Sequence, residues 1–225
     1  MTKNIAAIFA HPDDEILGCG GAMAWHADKG DQVRILILAT GLRSRGPSED
    51  AAIAKLRDQA RKAASIVGAQ KIEFADFPDN AMDSVPLLNV VKQVEAFFGG
   101  FRPDVVYTHH DGDLNVDHSV VHRAVATSLR PLPGSAPVEV LACEVNSSTE
   151  WGLPTQPPFT PTDFFDIGRF LDRKIKALEQ YEGEMRDWPH PRSSLGVQTL
   201  AHWRGSQCGV KAAEAYRLVR RVRHP

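Results

Sequence analysis

Short apolar runs alternate with longer segments of helical periodicity over the first two thirds of the chain, and this alternation is the strongest constraint on its fold. The apolar runs have the length of buried strands, and glycine often follows the periodic segments, where a helix ends. The pattern predicts strands over residues 5–9, 33–38, 72–74, 104–108 and 138–142, and helices over 15–29, 49–67, 87–98 and 117–129. Strands separated by such helices form βαβ units, which predicts an α/β fold with a Rossmann-like, mostly parallel sheet flanked by helices on both faces.

Polar segments follow the predicted strands. Right-handed crossovers place the carboxyl end of every parallel strand at one edge of the sheet, and ligands bind there. The segments that should meet at this edge are residues 11–15, 40–43, 76–80, 109–118 and 144–150. We therefore expect one site built from residues far apart in the chain.

The last third of the chain has a different pattern. Residues 151–162 are rich in Pro, Gln and Thr and are typical of an extended loop, whereas residues 166–181 and 212–219 are predicted to be helices. No linker or repeat divides the 225 residues. We predict a single α/β domain over 1–225, with a core of 1–145 and a loop and helix extension, 146–225, that covers the rim of the site.

Charge and composition exclude several classes of function. The net charge is only −2, which gives no general basis for binding nucleic acid, and no apolar run approaches the ~20 residues of a membrane span. We therefore expect neither a nucleic-acid nor a membrane partner. Three cysteines without CxxC spacing indicate a reduced, cytoplasmic setting.

The sequence FAHPDDE directly after the first strand carries the chemistry. His11 and Asp14, three residues apart, can turn toward one point, and His118 is the best candidate for a third ligand. Two imidazoles and one carboxylate are typical of a catalytic zinc site, although the same donors suit Fe²⁺ or Co²⁺. Asp13 cannot easily ligate the ion that its neighbour Asp14 holds, but it can accept a proton from a nearby water.

Three motifs resemble the PIG-L/LmbE-like family of zinc-dependent N-acetyl-sugar deacetylases. They are AHPDDEILGCGG near the N-terminus, FPDN at residues 77–80 and DLNVDH at residues 113–118. The resemblance implies the LmbE-like fold and one Zn²⁺ per chain, held by His11, Asp14 and His118, with Asp13 as general base. It also implies a homo-oligomer, a trimer or hexamer.

One position departs from the family pattern. The family often has a histidine three residues before its last ligand, and here this residue is Asn115. Asparagine can donate a hydrogen bond to an oxyanion but cannot relay a proton, so we predict a catalytic role for Asn115 in oxyanion stabilisation only. Proton delivery then falls to Asp13 or to a neighbouring histidine, and the candidates for relaying a proton or supporting the ligands are His109, His110 and Asp113.

Five further residues are candidates for contacting the substrate. Arg43 on the loop after the second strand could hold a phosphate or a sugar hydroxyl, and Arg57 resembles a family arginine near the substrate. Trp151 could stack on a sugar ring, and Arg192 could clamp a phosphate. Asp117 matches an acidic family position and could orient a neighbouring side chain.

These residues predict a metal-dependent hydrolase that removes the N-acetyl group from an N-acetylated amino sugar or from its nucleotide or glycoside conjugate. One alternative is an amidase that acts on a thiol–sugar conjugate or on a non-sugar acyl amide. A second is a non-catalytic sugar-binding module of the same fold, although such a module has no need of the base Asp13.

Overall fold

A computed structural model describes residues 2–42 and 50–223, and these residues contain a seven-stranded sheet with the order β3-β2-β1-β4-β5-β7-β6. The strands are β1 (Asn4–Phe9), β2 (Gln32–Ala39), β3 (Lys71–Phe77), β4 (Val105–His109), β5 (Glu139–Cys143), β6 (Asp163–Asp166) and β7 (Ala213–Arg220). The helices are α1 (Asp14–Asp28), α2 (Asp50–Val67), α3 (Leu87–Phe97), α4 (Val116–Ser128), α5 (Leu171–Leu178) and α6 (Ser194–Cys208). The predicted α/β fold is confirmed.

Strand β1 lies at the centre of the parallel part of the sheet. It pairs in parallel with β2 on one side and with β4 on the other, so the strand order reverses between β1 and β4. The loops that follow these two strands leave the sheet edge in opposite directions and open a crevice between them. Both loops carry the histidines and aspartates singled out above.

Alternation along β1 divides the interior into two cores. Ile5, Ala7 and Phe9 pack toward α1, α2, α5 and α6, whereas Ala6 and Ile8 pack toward α3 and α4. A strand buried on both faces is apolar at nearly every position, which is why the run 5–9 has no polar residue. Among the described residues, none of the helices combines the length and the hydropathy that crossing a bilayer requires.

The prediction of a helix over residues 212–219 is wrong. This segment is β7, which pairs antiparallel with β5 and β6. The unpaired edge of β5 offers backbone groups to a strand, and this tertiary pairing outweighs the helical propensity of the alanines and arginines. The extension after residue 146 thus adds strands to the sheet as well as loops and helices, and it includes α6, which the sequence pattern did not predict.

Helix α1 is broken at Cys19, and a side chain from β7 repairs the break. Cys19 has φ −146° and ψ 23°, which leaves the next turn with free N–H groups. The carboxylate of Glu214 accepts hydrogen bonds from Gly21 N and Ala22 N, both at 2.8 Å. Lys174 Nζ on α5 lies 2.7 Å from the same carboxylate and also donates to Leu17 O at 2.7 Å. Glu214 therefore ties the C-terminal strand to the helix that begins at the site.

Replacing Glu214 by Gln should strongly destabilise the protein. Lys174 would lose its counter-charge while remaining buried, which typically costs about 3–5 kcal/mol in the free energy of unfolding. The matched control is Glu182→Gln, which breaks an ion pair with Lys55 whose side chains are 70% and 68% exposed. Urea unfolding of both variants checks this prediction, and equal effects would contradict it.

Candidate active site

The predicted site lies at the carboxyl ends of β1 and β4. His11 and Asp14 follow β1, and His118 lies in the first turn of α4, which follows β4. One ligand atom from each of these three buried or nearly buried residues lies within 4.8 Å of the others. Asp14 Oδ2 is the shared point, 3.2 Å from His11 Nδ1 and 3.1 Å from His118 Nε2. Residues 107 positions apart in sequence, His11 and His118, therefore converge as the strand order predicts.

The donor set fits a divalent cation. Asp14 Oδ1 is fully buried and has no hydrogen-bond partner in the described chain, and buried Nε2 of His118 makes no well-oriented hydrogen bond although it lies 3.1 Å from Asp14 Oδ2. Buried polar atoms are almost always partnered, so these two atoms are suited to a ligand. Burial lowers the pKa of His118, but Asp14 and Asp113 outweigh burial and raise it to about 9. The carboxylates thus favour positive charge at this point.

Two carboxylates hold the far side of the His11 ring. Nε2 of His11 lies 2.9 Å from Asp117 Oδ2 and 3.2 Å from Asp79 Oδ1. A proton on Nε2 leaves Nδ1 with its lone pair facing Asp14, which is the tautomer that a metal ligand needs. Asp117 is itself fixed by the backbone N–H groups of Asn80, at 2.7 Å, and Met82, at 2.8 Å. Asp117 is therefore placed where it can orient the His11 ring.

Asp113 supports His118 in the same way. Its Oδ2 lies 3.1 Å from Nδ1 of His118 and accepts a hydrogen bond from Thr149 Oγ1 at 2.8 Å. Its Oδ1 accepts a hydrogen bond from Ser148. Burial opposes ionisation of Asp113, but His118 and the hydrogen bond from Ser148 lower its pKa to about 2. The loop after β5 therefore helps to orient His118.

Asp13 has a strained backbone that its neighbour Glu15 and the distant Tyr181 hold in place. Its φ is 103°, a backbone angle that residues other than glycine rarely adopt. Asp13 N donates to Glu15 Oε2 at 3.0 Å, and the hydroxyl of Tyr181 donates to Glu15 Oε1. Burial raises the pKa of Glu15 to about 7, and the Tyr181 hydrogen bond opposes this rise. No sequence pattern points to Tyr181, because only the C-terminal fold brings its hydroxyl to this loop.

Arg192 contacts the Asp13 carboxylate directly. Arg192 Nη1 donates to Asp13 Oδ2 at 2.7 Å, whereas Asp13 Oδ1 is buried and has no hydrogen-bond partner in the described chain. Burial raises the pKa of Asp13 well above its ordinary value, Arg192 opposes this shift, and Asp14 adds to it. A carboxylate with a raised pKa is a stronger base than an exposed one. Arg192 therefore lies in the site, on the carboxylate predicted to react.

Asn115 is engaged by local structure. Its Oδ1 accepts a hydrogen bond from Asp117 N at 2.9 Å and so caps α4, while its Nδ2 donates to Asn80 Oδ1 at 2.7 Å. The second Nδ2 hydrogen is the group left for an oxyanion. This geometry favours a mainly structural role over the predicted catalytic one.

The two adjacent histidines face different surroundings. His109 stacks on His118 with ring centroids 3.7 Å apart, and its Nε2 accepts a hydrogen bond from Ala10 N at 2.8 Å. His110 Nε2 instead donates to Pro157 O at 2.9 Å, which anchors the loop after β5. His109 packs against the candidate ligand His118, whereas His110 points away toward the loop.

The remaining predicted substrate contacts are dispersed. Arg57 donates to Ala75 O at 2.8 Å and to Asp76 Oδ1 at 2.6 Å, so it braces the end of β3. Trp151 is half exposed, and its ring meets the His190 ring edge to face at 5.9 Å. Arg43 lies outside the described residues.

Known proteins resemble this chain over most of its length, and the matching family model includes the residues of the candidate site up to His118. The family model described as GlcNAc-PI de-N-acetylase (PIG-L) matches residues 6–129. YaiS of Escherichia coli K12, named an uncharacterized deacetylase, is 32% identical over 185 residues, which cover 80% of this chain and 91% of YaiS. The diacetylchitobiose deacetylase of Thermococcus kodakarensis is 25% identical over 227 residues, covering 96% of this chain and 83% of that enzyme.

The fold also occurs with a different named activity. The crystal structure of GalB, the 4-carboxy-2-hydroxymuconate hydratase of Pseudomonas putida KT2440, aligns with a TM-score of 0.77 and 22% identity. The alignment covers 100% of this chain and 99% of GalB. This likeness shows the shared fold, so the fold alone does not decide between amide hydrolysis and hydration.

The site geometry predicts which carboxylate binds metal. Asp14→Asn and His118→Ala should weaken Zn²⁺ binding by at least about 100-fold, whereas Asp13→Asn should retain it, because Asp13 faces Arg192 instead of the shared point. Isothermal titration of chelator-treated protein with Zn²⁺ measures this difference. Asp58→Asn is the control, since Asp58 pairs with Lys62 at 2.9 Å on the exposed side of α2, away from the cluster. Comparable losses in Asp13→Asn and Asp14→Asn would contradict the assignment.

Proposed function

Because the chain belongs to the PIG-L family of GlcNAc-PI de-N-acetylases, we propose that it is a metal-dependent hydrolase that removes the N-acetyl group from an N-acetylated amino sugar or its nucleotide or glycoside conjugate. The observation that carries this proposal is the buried carboxylate of Asp13, which keeps one oxygen, Oδ1, without a hydrogen-bond partner in the described chain and lies beside a separate set of candidate metal ligands. A binding module needs no such base.

His11, Asp14 and His118 would hold one divalent ion per chain, which we propose to be Zn²⁺, with Fe²⁺ or Co²⁺ as substitutes. When bound, such an ion supplies Lewis acidity that polarises a carbonyl group and favours the ionisation of water. Asp117 and Asp79 set the tautomer of His11, and Asp113 orients His118. These carboxylates therefore orient the two imidazole rings without any bound ion.

Asp13 is the group that moves the proton. Its buried carboxylate accepts the proton of the attacking water and then returns it to the nitrogen of the departing amine, which leaves acetate and a free amino sugar. Arg192 holds one oxygen, so the other, Oδ1, is the one that takes the proton. With Asn115 engaged by α4 and Asn80, a single carboxylate that acts first as base and then as acid accounts for both transfers.

The oligomeric state and the cellular location of the protein remain predictions. We propose a homo-oligomer, a trimer or hexamer, and a cytoplasmic location, as the family resemblance and the cysteine pattern suggest. Both can be measured without any substrate, by sedimentation of the purified protein and by cell fractionation.

The direct test is product analysis with N-acetylglucosamine and its glycosides. The wild-type protein should release acetate and primary amine in equal amounts, and Asp13→Asn should lose about 10²–10⁴-fold in kcat, as is typical of acid–base groups. Asp58→Asn should keep normal turnover, because Asp58 pairs with exposed Lys62 on α2 and lies away from the cluster. Water addition to an unsaturated dicarboxylic acid, with no amine released from any acylated sugar or plain amide, would instead indicate a hydratase like GalB.

Tyr181→Phe tests the support of Asp13. Without the hydroxyl, Glu15 loses a hydrogen bond and the loop with φ 103° is less well held, so we expect kcat to fall about 10-fold or more with little change in KM. The control is Tyr216→Phe, which removes a similar buried hydroxyl from Glu214, away from Asp13. Steady-state kinetics of both variants decides, and equal kcat values would count against this role of Tyr181.

A further inference from the structure

The guanidinium group of Arg192 uses only part of its hydrogen-bonding capacity. An arginine side chain carries five N–H donors in one fixed plane. Nη1 donates to Asp13 Oδ2 at 2.7 Å, and Nε donates to Asn146 O at 3.4 Å. Nη2 forms no hydrogen bond with the described residues, and it lies 3.9 Å from Asp14 Oδ1, which is too far for one. Both hydrogens of Nη2 can therefore bind a ligand.

Two buried acceptor atoms beside this guanidinium also lack a partner. Asp13 Oδ1 and Asp14 Oδ1 accept no hydrogen bond from the described residues, and the two side chains are only 4% and 0% exposed. The Arg192 side chain, at 20%, is the most exposed of the three. Buried polar atoms are almost always partnered, so an unused donor and two unused acceptors at one place indicate a site for a polar ligand.

The charges around this place make Arg192 the strongest donor for an anion. In the part of the chain that the structure describes, no other lysine or arginine forms an ion pair with Asp13 or Asp14. Amide hydrolysis converts the carbonyl oxygen into an oxyanion, which here would form beside these carboxylates. Asn115, the residue predicted from its motif, is neutral and already donates one Nδ2 hydrogen to Asn80. A charged donor stabilises an anion more strongly than such an amide does.

We propose that Arg192 is a catalytic residue whose Nη2 donates a hydrogen bond to the acyl oxygen of the substrate and stabilises the oxyanion, in addition to the polarisation that a bound ion supplies. This inference rests on the proposed deacetylase function. Nη1 stays on Asp13 Oδ2, so one rigid, planar group holds both the base and the oxygen that becomes negative.

The hydrolysis balances with Arg192 in this role. As the water oxygen bonds to the acyl carbon, its proton moves to Asp13 Oδ1, and an electron pair of the C=O bond moves to the oxygen beside Nη2. When that pair re-forms the C=O bond, the C–N bond breaks, and Asp13 returns the proton to the departing nitrogen. Arg192 keeps its own protons throughout, because a guanidinium does not deprotonate in proteins.

Arg192→Gln tests this role, because glutamine lacks the charge and the forked shape of the guanidinium. With the N-acetyl sugar that is hydrolysed fastest, kcat should fall by about 100-fold or more with little change in KM, since the oxyanion forms only in the transition state. The matched control is Arg186→Gln on the same segment, whose side chain donates to the backbone carbonyls of Gly183 and Met185 and should leave kcat unchanged. A normal kcat in Arg192→Gln would contradict the inference.

Two further measurements separate a direct contact with the substrate from mere support of the site. In an Asp13→Asn background, Arg192→Gln should lower kcat by a further factor of about 10 or more, whereas a residue that acts only through Asp13 would add nothing. The affinity of Arg192→Gln for Zn²⁺ should stay within about threefold of the wild-type value in isothermal titration. No additional loss in the double variant, or a loss of Zn²⁺ affinity as large as the loss in kcat, would overturn the inference.

Acetate binding tests the contact independently of the proposed activity. If no N-acetyl sugar is hydrolysed, the deacetylase proposal fails, but titration of the Zn²⁺-loaded protein with acetate still tests whether Arg192 binds an anionic oxygen. Arg192→Gln should bind acetate about 10-fold more weakly than the wild-type protein, and Arg186→Gln should bind it equally well. Equal affinities in Arg192→Gln and the wild-type protein, or no saturable binding in the wild-type protein, would contradict the contact.

Discussion

The carboxylate of Asp14 is the point on which the site depends. It is fully buried, and one of its oxygens lies within 3.2 Å of both His11 Nδ1 and His118 Nε2. A carboxylate in this position is costly unless positive charge faces it. Strand order explains how the cost is met, because the reversal between β1 and β4 brings imidazoles from two distant loops to the same oxygen.

Residues of the C-terminal third hold the side chains and backbone of the site that follows β1. Tyr181 supports the loop that contains Asp13, and Arg192 binds the Asp13 carboxylate. Glu214 on β7 caps the broken helix α1, whose first turn includes Asp14. The site therefore depends on long-range contacts, which is consistent with a chain that folds as one unit around a single sheet.

The sequence allowed the prediction of features with a local cause. FAHPDDE follows an apolar strand, so the positions of His11, Asp13 and Asp14 at the sheet edge could be inferred from seven consecutive residues. The contact of Arg192 with Asp13 joins residues 179 positions apart, and no local pattern fixes its geometry. Strand β7 was mistaken for a helix because its conformation comes from pairing with β5 and β6. The position of Asn115 in a motif does not reveal that its Oδ1 caps α4 and that its Nδ2 donates to Asn80, since the second contact joins residues 35 positions apart.

The most direct test of this account is the position of the ion in a Zn²⁺-loaded crystal, located by anomalous scattering at the zinc absorption edge. We predict one peak per chain, bound by His11 Nδ1, Asp14 and His118 Nε2, with Asp13 outside the coordination sphere. A peak bound by Asp13 would contradict its assignment as general base. A peak among His11 Nε2, Asp79 and Asp117 would contradict the assignment of the metal ligands.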